Sequence, residues 1–329
     1  MTSEPLLLAI DGGQTATKSL LATSRGKVVA AGRGGPADHF HSAGGIERNR
    51  AAIIGAATEA LEATGASPAN VVATALGLTG VHLASGDTTV VEGIVREILP
   101  NASTVVVPDY VTNLAGASAG APGVVVIAGG GGIAYGVTHD GSEALSSGFG
   151  YLIGDEGSAS DIGRRAIATA CRASDGRGPT TTLEPRLCAA FGIETMRQIT
   201  RIVYHADFRR ERISLLAPLV AAAARDGDSE ATAILERAGA DLAMSAVAVI
   251  AKLHRPGTEV GVYPTGGVFT AGALIQQSFH ETLRRECPAA AVHEPSFPPV
   301  VGGLILAARQ MGIEPDEAWF HRIQGTLPQ

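Results

Sequence analysis

Leu6-Leu7-Leu8-Ala9-Ile10-Asp11-Gly12-Gly13-Gln14-Thr15 is an uninterrupted apolar run that ends in a carboxylate and a glycine turn. Such a run, closed by turn residues, predicts a strand. The pattern returns twice. Val124-Val125-Val126-Ile127 leads into Gly129-Gly130-Gly131-Gly132, and Val260 to Tyr263 leads into Thr265-Gly266-Gly267. Glycine carries no Cβ, so its backbone N–H can approach an anion closely. Successive exposed N–H groups form an anion-binding concavity. Three such turns, each at a strand end, point to a nucleotide held between two lobes.

Working outward, Leu6–Ile10, Lys18–Ala22 and Val28–Arg33 predict a β-meander. A helix over 46–64 follows, with Ile53, Ile54, Ala57 and Leu61 on one face. Val71–Leu78 predicts a strand, Thr88–Ile98 a helix stopped by Pro100, Val105–Val107 a strand and Asn113–Ala119 a helix. The order then restarts. Val124–Ala128, Ile133–Thr138 and Ala144–Ser146 repeat the meander, and helices are expected at Ser158–Ala173, Arg212–Arg225 and Ser229–His254. A strand at Val260–Tyr263 and helices at Ala271–Glu286 and Val300–Met311 complete the chain. The expected fold is α/β, a duplicated unit with a cleft between the copies. The boundary is expected within Ala119-Gly120-Ala121-Pro122-Gly123, giving an N-terminal lobe over 1–119 and a C-terminal lobe over 120–329, with the last helix packing back on the first lobe. The Ala-rich face of Ser229–His254 suits buried core better than a dimer surface.

Composition narrows the function. The 329 residues are 45% hydrophobic and 17% charged, which favours a large core over disorder. A net charge of −7 without a basic run argues against nucleic acid as partner. Apolar stretches such as Ala217 to Ala224 are too short to span a bilayer, and no secretory signal pattern opens the chain. Cys171, Cys188 and Cys287 lie far apart with no Cys-x-x-Cys spacing, as expected of free thiols in the cytoplasm.

The candidate chemistry sits at strand ends. Asp11 suits water-mediated Mg²⁺ beside phosphates cradled by backbone, with Lys18 adding positive charge; a plain Asp-Gly hairpin turn is the other reading. Gly-x-x-x-x-Gly-Lys-Ser/Thr is missing, and Gly129–Gly132 runs into strand rather than helix, so neither a Walker A loop nor a Rossmann turn is present. Asp109 follows a short strand and a proline. It suits a general base that takes a proton from a substrate hydroxyl, or equally a helix N-cap. Gly148-Phe149-Gly150-Tyr151-Leu152-Ile153-Gly154-Asp155-Glu156-Gly157-Ser158 places two adjacent carboxylates among glycines. They suit sugar hydroxyls or a metal, against a solvated first helical turn. Asp38-His39-Phe40-His41, in a loop, suits polar substrate contacts or an ordinary surface. No further His or Cys cluster supports a metal there.

With these motifs in place, the chain resembles the N-acetylglucosamine kinase and BadF/BcrA-type ATPase family, of the actin/sugar kinase/Hsp70 (hexokinase-like, ribonuclease H-like) fold. The resemblance runs from Ile10 to about Ala308, and Gly-Asp-Glu-Gly-Ser at 154–158 is its strongest element. It implies that the three turns are phosphate-1, phosphate-2 and adenosine motifs. It implies ATP and Mg²⁺ as cofactors, with Asp11 holding the metal through water and Asp109 as catalytic base. Gly12, Gly13, Gln14, Thr15, Lys18, Gly129, Gly130, Gly131, Ser214, Gly266 and Gly267 would meet ATP. Asp38, His39, Thr79, Gly80, Asp109, Gly132, Ile133, Gly148, Phe149, Gly150 and Asp155 would meet an amino sugar. The implied activity is phosphorylation of the C6 hydroxyl of N-acetylglucosamine or glucosamine, by a homodimer. A BadF-type ATPase, or a kinase of N-acetylmuramic acid or glucose, is the alternative.

The sequence departs from the family pattern in four places. The second turn is all glycine where Gly-Thr-Gly-Ser is usual, which removes a hydroxyl that would bind a phosphate. Ile133 stands where Asn can occur, Asp38 replaces Asn, and Phe149 replaces an aromatic that is often Trp. The added charge of Asp38 favours a free amino group on the sugar. No cysteine lies near the glycine turns to hold the iron–sulfur cluster of dehydratase-activating relatives, and the Cys-rich zinc motif of ROK sugar kinases is missing. Nothing resembles the helix-turn-helix extension of a sugar-sensing regulator.

Overall fold

The computed structural model describes residues 4–37, 40–81, 85–209 and 211–328. The chain divides into two compact units, Met1–Ala121 with Glu294–Gln329, and Pro122–His293. The first break falls in the Ala-Gly-Ala-Pro-Gly stretch. The residues from Glu294 onward return to the first unit.

Unit 1 is built on one mixed sheet of β1 (Leu6–Gly12), β2 (Thr17–Thr23), β3 (Val28–Gly34), β4 (Val71–Leu78) and β5 (Ser103–Pro108), in the order β3-β2-β1-β4-β5. The first three strands are antiparallel, while β4 and β5 run parallel to β1. Because β1 is central, its run is apolar on both faces. Leu8 and Ile10 pack with Leu21, Ile53, Leu76 and Val91 under the helices Gly45–Thr64 and Asp87–Arg96. Leu7 and Ala9 face the other way, with Leu20, Ala73 and Ala75, onto Val301, Leu304 and Ile305 of the helix Pro299–Gln310. Small residues on that face let the helix lie close.

Unit 2 repeats the plan. Strands β6 (Gly123–Ala128), β7 (Gly132–Val137), β8 (Glu143–Ser147), β9 (Val260–Thr265) and β10 (Ala290–Val292) form the order β10-β9-β6-β7-β8. Read from the meander end, both sheets have the same order and the same strand directions. The expected duplication is therefore present in the topology. The long helix Ser229–Leu253 buries Ala231, Ala238, Ala243 and Ala246, so its Ala-rich face is core. Its N-cap Asp228 feels burial, which pushes its pKa up, but donors from Ala231, Thr181 and Thr182 outweigh burial and hold it at about 2.

Several elements differ from expectation. The helix expected over Arg212–Arg225 is two helices, Glu211–Ser214 and Ala217–Arg225, because Pro218 can only sit in a first turn. The helix expected from Ala271 begins at Ala273, after a short helix Gly267–Thr270. Helices at Leu183–Phe191, Ile199–Val203 and Glu317–Thr326, and the strand β10, were not expected. In the last helix, Asp316 accepts the Trp319 N–H as cap, and Trp319 and Ile323 are buried one turn apart. Among the described residues no helix is long and apolar enough to cross a membrane.

Candidate active site

In unit 1 the parallel strands β1, β4 and β5 end side by side; β1 carries Asp11 at its next-to-last position, and β4 and β5 pass directly into Thr79 and Asp109. The carboxyl edge of such a sheet is where α/β folds bind ligands. Asp11 lies next to last in β1, paired in register with Lys18 of β2. The turn after it closes through Gly13 N–H donating to the Ala16 carbonyl at 3.1 Å, and leaves Gln14 and Thr15 exposed. Thr79 follows β4. Its N–H donates to the Gly12 carbonyl at 2.9 Å, and its hydroxyl donates to Asp109 Oδ2 at 2.6 Å. Asp109 is the first residue of the helix Asp109–Ala117, with Pro108 in the cap position. Its carboxylate is therefore held by Thr79 as well as by the helix start. Gly80, at φ 78°, turns the chain away behind Thr79.

Thr79 thus joins the end of β1 to the carboxylate beyond β5, two strands away. Burial pushes Asp11 from its ordinary 3.8 up to about 6, the charge of Asp109 pushes the same way, and Lys18 pulls it back. Burial also raises Asp109, against hydrogen bonds from Thr79 and the helix N–H groups that lower it. A carboxylate raised by burial and by a second carboxylate near it is suited to a hard divalent cation. A hydrated Mg²⁺ fits this donor set. Asp38 and His39 lie outside the described residues. On either side, the Ala37 N–H donates to the Gly13 carbonyl at 3.0 Å, and His41 Nε2 lies 3.1 Å from Asp87 Oδ2.

In unit 2 the second glycine turn joins β6 to β7. Gly129 N–H donates to the Gly131 carbonyl at 2.9 Å, and Gly132 is already paired in the sheet opposite Ala128. Among the described residues no acceptor faces the N–H groups of Gly130 and Gly131, and Gly130 is exposed. That pair is a ready anion cradle. The third turn lies beside it: a Cβ on Gly266 would stand 2.3 Å from the carbonyl oxygen of Ala128. Gly266 adopts φ 98° and ψ 163°, a region open essentially to glycine alone. Gly266→Ala is expected to destabilise the protein by about 3 kcal/mol or more. Thermal melting checks this, and an unchanged midpoint would show that the turn can relax.

The Gly148–Ser158 stretch links β8 to the helix Ala159–Ser174. Asp155 is buried with φ 58°, uncommon for a residue with a side chain. Its Oδ1 accepts the Gly150 N–H at 3.1 Å, and a Cβ on Gly131 would stand 2.8 Å from its Oδ2. The structure therefore brings Asp155 against the second glycine turn. Ile133 packs beneath Gly148. Phe149 is 73% exposed, beside Leu152 at 77% and Ile153 at 80%, so this loop presents an open apolar edge. Among the described residues Glu156 receives only the Ser147 hydroxyl, at 3.4 Å. Ser214 stands apart on its short helix, where its hydroxyl donates to the Glu211 carbonyl, and Gly267 is exposed. Ser160 and Asp161, which tie these loops together, were missed. In sequence they read only as the start of a helix.

Known proteins align with this chain over most of its length. An N-acetylmuramic acid/N-acetylglucosamine kinase of Clostridium acetobutylicum is 28% identical, over 92% of this chain and 97% of its own length. An N-acetyl-D-glucosamine kinase of Dictyostelium discoideum is 26% identical, over 93% and 98%. Among solved structures, a provisionally named N-acetylglucosamine kinase from Chromobacterium violaceum superposes with a TM-score of 0.75 at 28% identity, covering 93% of this chain and 99% of that one. A ROK glucokinase from Streptomyces griseus shares the fold, with a TM-score of 0.58 at 17% identity and coverage of 93% and 99%. The sequence pattern of the BadF/BadG/BcrA/BcrD ATPase family matches residues 8–307, and the chain belongs to that family.

Proposed function

We propose that this protein is an ATP-dependent amino-sugar kinase that phosphorylates the C6 hydroxyl of N-acetylglucosamine or glucosamine. The observation that carries this is the hydrogen-bonded pair Thr79–Asp109 beside the raised Asp11, at the carboxyl ends of three parallel strands. Kinase names on relatives aligned over nearly the whole chain support it.

Asp109 accepts the proton of the sugar hydroxyl as that oxygen attacks the γ-phosphorus of ATP. Its raised basicity suits this, and Thr79 holds one carboxylate oxygen in place. Asp11 would hold Mg²⁺ through water, and the ion would neutralise charge on the transferring phosphoryl group. The N–H groups of Gly130 and Gly131 cradle phosphate oxygens. The turn of Gly12 and Gly13, with Gln14, Thr15 and Lys18, receives the terminal phosphates, and Gly266, Gly267 and Ser214 face the adenosine. Asp155 accepts sugar hydroxyls, with Gly132, Ile133, Gly148, Phe149 and Gly150 of its own unit; Thr79 and Gly80 are proposed as sugar contacts of the other unit. A cytoplasmic setting and a homodimer belong to the same proposal, and the three free thiols suit a reducing compartment.

A coupled ADP-release assay across amino sugars, with ATP alone as control, tests the proposal. Sugar-dependent release supports a kinase. Release without sugar at the same rate would instead make the protein an ATPase.

Asp38 sets the choice of sugar through its charge. Asp38→Asn is expected to move the kcat/KM ratio about tenfold from glucosamine toward N-acetylglucosamine, the size of one lost charge-assisted contact. An unmoved ratio would remove Asp38 from the specificity pocket.

A further inference from the structure

We propose that Ser160 and Asp161, adjacent in the first turn of the helix Ala159–Ser174, are positioning residues that set two ligand subsites separately. Ser160 sets the glycine turn for nucleotide phosphates, and Asp161 sets the loop that carries Asp155. The assignment rests on the kinase function proposed above.

Ser160 acts on peptide orientation. Its hydroxyl, nearly buried, donates to the Gly130 carbonyl at 2.6 Å, while Ala159 N–H donates to the Gly129 carbonyl at 2.9 Å. In a planar trans peptide the carbonyl and the next N–H point in opposite directions. Drawing both carbonyls toward the helix therefore turns the N–H groups of Gly130 and Gly131 away from it, to the side where an anion can reach them. No side chain in the turn helps to hold the Gly130 peptide, because all four residues are glycine. Without the Ser160 hydroxyl, the Gly130 peptide can swing and aim its carbonyl oxygen at the phosphates.

Asp161 acts on the neighbouring loop. It is 3% exposed, yet it bears a carboxylate that pairs with Arg164 at 2.5 Å and with Arg165 Nε at 2.7 Å. Its Oδ2 also accepts the Gly157 N–H at 3.1 Å. Arg165 continues to Asp241 of the helix Ser229–Leu253 at 3.2 Å, and Arg237 meets Asp241 at 2.9 Å. A buried carboxylate satisfied in this way is a fixed joint. It anchors Gly157, two residues beyond Asp155, whose left-handed backbone persists only where its surroundings hold it. Ser158 N–H, donating to the Asp155 carbonyl at 3.0 Å, ties the same turn from within.

Steady-state kinetics on four variants tests the division. Ser160→Ala is expected to raise KM for ATP about tenfold with KM for sugar unchanged, and Ser160→Thr, which keeps a hydroxyl, to restore it. Asp161→Ala is expected to raise KM for sugar about tenfold with KM for ATP unchanged. Asp161→Asn, whose amide oxygen can still accept the Gly157 N–H, should recover most of that loss. A general loosening would move both constants together. Both KM values moving in parallel, or neither moving, in variants that melt above the assay temperature overturns the assignment. If Asp161→Ala does not fold, Arg165→Gln cuts the same joint from its more exposed partner, and an unmoved KM for sugar there is equally fatal. Wild-type protein without sugar-dependent ADP release overturns the kinase function and this assignment with it. Sugar-dependent turnover with the wrong KM pattern overturns the positioning alone.

Discussion

Asp109→Ala is expected to lower kcat for sugar phosphorylation about 10³-fold while nucleotide affinity stays within about twofold of the native value, the size typical of losing a positioned general base. The separation follows from where Asp109 stands. It begins a helix rather than ending a strand, and its side chain meets the Thr79 hydroxyl, not the glycine turns. Removing it leaves the sheet register intact and costs the helix start about 0.5 kcal/mol of favourable charge at its N-terminus. Thr79 loses an acceptor but keeps its backbone bond to Gly12. Coupled ADP release gives the rate and calorimetry gives nucleotide affinity. Turnover near the native rate would leave Asp109 as a helix-start residue only.

The same group fixes an acid limb. Asp109 must be ionised to take the proton, and burial raises its pKa above the ordinary 3.8. Activity should therefore be lost on acidification at a pH above that of an ordinary aspartate. The limb should disappear in a variant whose residual rate no longer depends on this carboxylate.

Asp11→Asn is expected to abolish most activity and yet to stabilise the protein in the absence of nucleotide and metal. The sign follows from the pKa. Asp11 ionises near 3.8 when unfolded and at about 6 when folded, so the native state prefers the protonated acid. The stability this contributes is complete below pH 3.8 and is lost as the pH rises through about 6. At pH 8 the native state carries a buried carboxylate that costs about 3 kcal/mol, and at pH 4.5 only about 1 kcal/mol. An amide has no charge to bury and no repulsion from Asp109. The variant should melt several degrees above the native protein at pH 8, and the gap should close toward pH 4. A native carboxylate that stabilises, so that Asp11→Asn melts lower at pH 8, would show that Asp11 is paired rather than strained. A destabilising carboxylate retained at a strand end is the expected signature of function traded against stability.

The strands were legible because each is a short apolar run closed by turn residues. Leu6–Ile10, Val71–Leu78 and Val124–Ala128 lie within one or two residues of their final bounds at each end. The strand β10 was not, since Ala290–Val292 is three residues of modest hydrophobicity after a proline and gains its partner only from β9. Leu183–Phe191 was hidden by Pro185, which a first helical turn tolerates but which reads as a breaker. The last helix offered a signal that was passed over, Asp316 as cap before Trp319 and Ile323.

At the site, the sequence by itself determined the residue types: carboxylates at Asp11, Asp109 and Asp155, and glycine wherever backbone must come close. It determined the repeated strand–turn–strand pattern along the chain as well, because hydrophobic period and turn chemistry are local properties. Tertiary structure alone decided which of these meet. Thr79 and Asp109 are 30 residues apart and touch only because β4 and β5 pair in parallel. A Cβ on Gly131 would stand 2.8 Å from Oδ2 of Asp155, from beyond the next strands, so a side chain there would have to displace that carboxylate. Asp161 carries no motif, and only burial among two arginines and a backbone N–H makes it a joint rather than a solvated helical turn. Contacts between distant segments depend on strand pairing and on the exclusion of water, and neither is written in any single stretch of the chain. The three glycine turns are thus set by sequence as turns at strand ends, and the orientation of the second turn's peptides is set by the helix packed behind it.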